Sequence, residues 1–120
     1  MDLEELSRRL SAEIDNYVYD YTDELVGAPW STDRIKTGIR ELRSALIEPY
    51  WASVIRRDTI EQIASADPPV CRCAVVADDG KGTLLAFDPA AAEFLLARRI
   101  TDTLESYGVS GDVVGCFMAR

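Results

Sequence analysis

The feature that most constrains this chain is the change of hydrophobic period at Pro49. Before it, apolar residues recur every three or four positions, the spacing of one helix face. After it they come in short aromatic and β-branched runs broken by Gly, Pro and Asp, the punctuation of strands and turns. Helical stripes followed by strand runs within 120 residues point to an α+β chain, a single domain over 1–120.

In the first half, Leu3, Leu6, Leu10, Ile14, Tyr17, Tyr21 and Leu25 share a stripe and predict a helix over 2–26. Asp2 and Glu5 have capping-box spacing, and Gly27 and Pro29 supply the stop. Eight acids against two arginines up to Glu24 make this helix strongly negative. Ile35, Ile39, Leu42 and Leu46 predict a second helix over 32–47, capped by Ser31 or Thr32. Its polar face carries Arg34, Lys36, Arg40 and Arg43. The short GAPWS connection predicts an antiparallel helical hairpin, acidic helix against basic helix.

In the second half, Tyr50-Trp51-Ala52-Ser53-Val54-Ile55 reads as a strand over 49–56, with a helix kinked at Pro49 as the rival reading. Asp58 can cap a short helix over 58–66, with Ile60, Ile63 and Ala64 inward, ended by Asp67-Pro68-Pro69. Strands over 70–77 and 83–87 flank the turn Asp78-Asp79-Gly80-Lys81-Gly82. Asp88-Pro89 before an Ala- and Leu-rich run predicts a helix over 88–107, closed by Gly108. Asp112 then opens a last strand over 113–119. The resulting order, β-α-β-β-α-β behind a helical hairpin, is a four-stranded, mostly antiparallel ferredoxin-like arrangement. Both faces of its strands read as apolar, so the sheet needs two covers. Helices 58–66 and 88–107 are expected on one face and the hairpin on the other.

Chemistry is bounded by one absence: the chain has no histidine. Ser-His and Cys-His nucleophile activation and His-containing zinc sites drop out with it. Cys71 and Cys73 would lie on one side of a strand, able to hold a soft metal with Cys116. In the expected sheet, however, the strands bearing Cys71 and Cys116 occupy opposite edges, which leaves all three thiols as core residues. The glycines of the 78–82 turn are followed by a strand and not by a helix N-terminus, so it is no phosphate cradle. Arg56-Arg57 and Arg98-Arg99 are isolated pairs, accounted for by Asp58, Glu61, Asp102 or Glu105. No catalytic, cofactor-binding or metal-ligating residue is assigned.

Net charge −8 and a pI near 4.5 disfavour nucleic acid, which selects basic surfaces. Neither a secretory leader nor an apolar run of membrane-spanning length is expected, and three cysteines suit a reducing compartment: a cytoplasmic protein of bacterium or phage. The strongest functional candidate is the acidic, tyrosine-bearing face of the first helix, where Glu13, Asp15, Tyr19, Asp20 and Asp23 can meet a basic protein surface. The expected role is a non-enzymatic protein-interaction domain, an adaptor, inhibitor or assembly partner, with homo-oligomerisation through an open sheet edge or the tyrosine helix. The alternative is a small-ligand binder or enzyme using carboxylate, Lys81 or cysteine groups in a pocket between the helices and the sheet.

Overall fold

The structure, a computed structural model, describes residues 2–17 and 30–120. Two helices open it: α1 (Leu3–Asp15), capped by the Asp2 carboxylate accepting the Glu5 N–H at 2.7 Å, and α2 (Thr32–Ala45), capped by the Ser31 hydroxyl. Then follow β1 (Leu46–Ile55), a single-turn helix α3 (Ile60–Ala64), β2 (Val70–Asp78), β3 (Thr83–Asp88), β4 (Glu93–Ile100), β5 (Thr103–Gly111) and a short helix α4 (Val113–Met118).

The five strands form a closed barrel in the order β1-β2-β3-β4-β5. Consecutive strands pair antiparallel, and β1 meets β5 in parallel only through Val54 against Leu104 and Ile55 against Glu105. This overturns the ferredoxin-like expectation. The expected helix over 88–107 is instead the β4–β5 hairpin, and the expected strand over 113–119 is α4.

Both reversals have local causes. Asp88 does cap, but it caps a turn: its carboxylate accepts the N–H groups of Ala90 and Ala91, and Ala92 then takes a left-handed φ of 53° that ends any helix. Phe94, Leu95, Leu96 and Ala97 beyond it are buried on both faces, an environment that overrides the helix propensity of Ala and Leu. At the C-terminus the Asp112 carboxylate accepts the Gly115 N–H at 2.9 Å and starts α4, not a strand.

The two-faced burial read from the strands is real, but it is met differently. One face closes on itself: Val54, Cys73, Val75, Leu84, Ala86, Leu95, Ala97 and Leu104 fill the bore. These are small and medium side chains, as a five-stranded bore requires. The other face packs Ala74, Val76, Leu85, Phe87, Phe94 and Leu96 under Leu6, Leu10, Ile14, Ile35 and Leu42 of the helices. The expected continuation of the first helix to residue 26 and the 27–29 part of the connection lie outside the described residues. Among the described residues the two helices are not a self-contained hairpin, and both lean on α4, whose Val113, Val114, Cys116, Phe117 and Met118 are all buried. Nor does α3 point its isoleucines inward: Ile60 is 86% exposed and Ile63 62%.

One end of the barrel is stoppered by Arg56. Its guanidinium, 14% exposed, reaches Asp58 at 2.5 Å, Asp88 at 3.0 Å and Glu93 at 3.4 Å. Burial alone would lower the pKa of Arg56, but the bonds to Asp58 and Glu93 outweigh it and hold the group firmly charged. Burial would raise Asp58, yet hydrogen bonds from Ser106, Arg56 and the Gly108 N–H hold its carboxyl below the usual range. Arg57 pairs with Glu105 at 2.7 Å and donates to the carbonyls of Gln62, Ile63 and Ser65, fastening α3 to β5.

Candidate functional site

A cleft of about 650 Å³ opens where the end of α1 crosses the β3–β4 turn and the start of α4. Each wall follows from a local choice of residues. Phe87 is the last residue but one of β3 and Phe94 the second of β4; they stand opposite each other in the antiparallel register, and their rings pack at 5.0 Å, tilted by 54°. Val113 adds to this apolar floor. Glu13 comes from the last turn of α1, Glu93 from the first position of β4, and Asp112 is the cap of α4. Among the described residues, three carboxylates therefore line the cleft against one cation, Arg9.

Arg9 shows how the walls work together. Its Nε donates to Glu13 at 3.1 Å, and its guanidinium carbon lies 5.6 Å from the centroid of the Phe87 ring. A planar cation held between a carboxylate and an aromatic face is the arrangement by which proteins take up guanidinium and ammonium groups. The other two carboxylates hold lighter partners. Glu93 touches Arg56 only at 3.4 Å and stays one-third exposed, while Asp112 accepts one backbone N–H.

The residues expected to bind a partner divide. Glu13 lines the cleft, and Tyr17 and Asn16 border it. Asp15 does not face it: its carboxylate is paired with Arg43 of α2. Tyr19, Asp20 and Asp23 lie outside the described residues. Glu93, Phe94 and Asp112 are not legible as site residues, because the expected helix over 88–107 and strand over 113–119 put them on other elements; Phe87 is on its expected strand, but its partner is not. A usable signal was the pair of aromatic residues flanking a turn, Phe87 and Phe94, which in a hairpin must face each other.

The other candidates are structural. Asp78 accepts the Gly80 N–H, and Asp79 accepts those of Lys81 and Thr83, the self-bonding of a tight turn. Against burial, these bonds and Arg120 hold the Asp79 carboxyl below its usual range. A groove of about 540 Å³ beside this turn carries Arg40, Lys81 and Arg120 with Glu41, Asp78 and Asp79, so its charges balance. Of the basic pairs, Arg56 finds Asp58 as expected but also Asp88 and Glu93, while Glu105 pairs with Arg57 and not with Arg98. Arg98 lies over the Tyr107 ring at 4.2 Å.

Cys73 sits in the bore, and Cys116 on α4 under the helices, so the thiols belong to separate cores. Burial, with the charge of Asp88, pushes the Cys73 thiol up to about 12, and burial with Asp112 does the same for Cys116. Neither forms the thiolate that nucleophilic attack needs near neutral pH. Among the described residues no group of three or more His, Cys, Asp or Glu side chains is placed to hold a metal ion, and no helix is long and apolar enough to cross a membrane. Comparison with known proteins gives no match: no family model, no curated protein and no solved structure is significantly similar to this chain.

Proposed function

We propose that this chain is a non-enzymatic protein-interaction module that receives a basic segment of a partner protein in the cleft between α1 and the barrel. The observation that carries the reading is the resident cation. Arg9, held by Glu13 over Phe87, occupies one part of a cleft whose other carboxylates find no further cation among its described lining residues. Glu93 shares Arg56, from outside the cleft, with Asp58 and Asp88, and Asp112 makes no ion pair among the described residues. An incoming Arg or Lys lays its aliphatic stem on the phenylalanine floor and its charged head among the acids. Each exposed contact contributes only about 0–1 kcal/mol, so useful affinity takes several such residues in one segment and weakens with salt. The high negative charge of the whole chain speeds encounter with a basic surface.

A second reading, a small organic cation as ligand, is favoured by the size of the cleft: about 650 Å³ lies within the ordinary range for small-molecule sites. Lys81 and the cysteines, expected to serve such a site, are not among its lining residues.

Titration of a fluorescent arginine-rich peptide separates these readings from diffuse attraction to an acidic protein. Removal of the internal competitor by Arg9→Gln is expected to tighten binding about two- to fivefold, within the span of one exposed charge contact. Arg8→Gln, the same charge change one residue along α1 and outside the cleft, is expected to leave it unchanged. Equal effects of the two variants would show that only net charge matters. Competition by a monomeric aromatic amine as effective as the peptide would favour the small-ligand reading.

A further inference from the structure

The barrel closes over a short seam, and the seam leaves part of β1 uncovered. Only Val54 and Ile55 of β1 pair with β5, which begins at Thr103. Because the two strands run parallel and Val54 stands level with Leu104, residues Tyr50 to Ala52 fall before the start of β5. Among the described residues they are paired on one side only, to β2. Pro49, which has no N–H, ends the usable edge below Tyr50. A row of main-chain donors and acceptors so placed is a template for another extended strand.

A groove of about 420 Å³ runs along this edge, lined by Tyr50, Ala52, Ser53, Arg99, Asp102 and Thr103 among others. Two exposed large apolar side chains, Tyr50 and Val70, line it, and a third, Ile100, ends β4 next to Arg99. Arg99 and Asp102 are its charged residues, and among the described residues neither makes an ion pair.

We infer that this edge is occupied by a second copy of the same chain, β1 against β1 in antiparallel fashion across a two-fold axis. The charges select the occupant. A groove with an excess of one sign would favour a partner of the other sign; this one holds a single cation and a single anion. A two-fold brings Arg99 of one copy towards Asp102 of the other, twice over, which is the self-complementarity an isologous interface demands. For a chain of net charge −8, a locally neutral, apolar-rimmed face is also where two copies repel least. Antiparallel self-pairing sets a residue opposite its own copy, so the axis passes by Trp51, the middle of the open stretch. The interface shares no residue with the acidic cleft and stands independently of it.

Sedimentation velocity over a concentration series tests this with three chains. The native protein is expected to self-associate to a dimer and no further. Arg99→Asp, at an exposed position, leaves two anions in each groove and is expected to weaken the dimer at least about tenfold. Arg99→Asp with Asp102→Arg restores the pairing with its signs exchanged and is expected to recover it. A native protein that stays monomeric at high micromolar concentration overturns the proposal and leaves the edge to a strand of another protein. A dimer indifferent to Arg99→Asp overturns it too, since the interface would then lie elsewhere.

Discussion

At the scale of single residues, Asp88 is a charged side chain in the buried interior. Its side chain is 3% exposed and its charge is answered by Arg56 at 3.0 Å. Arg56→Ala leaves that carboxylate buried with two backbone N–H groups but no counter-charge, and a loss of about 3 kcal/mol in urea unfolding is expected. Arg56→Ala with Asp88→Ala should recover part of it, as removal of both partners of a buried pair does. Additive losses would show that the two do not interact. The pH dependence follows from the same groups. Asp58 and Asp79 have folded-state pKa values below their unfolded ones, so they add stability above about pH 4 that is lost as pH falls through the folded values. Cys73 and Cys116 are shifted the other way: the contribution of their neutral form is present below the unfolded thiol value, about 8.5, and is lost as pH rises towards about 12. With no histidine between these limits, the urea midpoint is expected to stay level from about pH 5 to 8 and to fall on either side. A step near pH 6.5 would contradict this.

At the scale of elements, α4 is the piece on which the helical layer hangs. Its Met118 lies so close to Gly38 of α2 that a Cβ built there would meet the Met118 Cγ and Sδ at 2.8 Å. A glycine inside a helix normally costs about 1 kcal/mol relative to alanine, so Gly38→Ala at an open site would stabilise. Here overpacking of about 1–3 kcal/mol opposes that gain, and Gly38→Ala is expected to be neutral to destabilising by about 2 kcal/mol. In a Met118→Ala background the same change is expected to stabilise. Thermal unfolding of the four proteins of that cycle is the check; a stabilising Gly38→Ala in the native background would mean that α2 and α4 are not in contact. The legibility of the elements follows the same physics. The stripes Leu6-Leu10-Ile14 and Ile35-Leu42, the β2–β3 hairpin and the β1 strand were readable because period, cap and turn agreed. Residues 88–119 misled because Asp88, Pro89 and the alanines satisfy the local rules of a helix start. What makes β4 a strand is burial of Phe94 to Ala97 on both faces, a fact of the tertiary structure. Asp112 misled in reverse: a capping residue before two valines looks like a turn into a strand.

At the scale of the molecule, the sequence carried a correct requirement, two covers for an apolar sheet, but not the way it is met. Closure of the barrel buries one face without a second helical layer, and the helices gather on the other. The site suffered from the same gap. Glu13 was legible as an acidic position on α1, whereas the floor it works with, Phe87 and Phe94, exists only once β3 and β4 pair. If the proposed function holds, the cleft between α1 and the barrel takes up a cationic side chain. The most direct measurement is a two-dimensional amide NMR titration of the full chain with an arginine-rich peptide at physiological salt. Saturable shifts are expected at Glu13, Asn16, Phe94 and Asp112, with the amides around Gly80 and Lys81 unmoved. Shifts spread evenly over the acidic residues of the surface, or none at the cleft while the peptide binds, would contradict the proposed function.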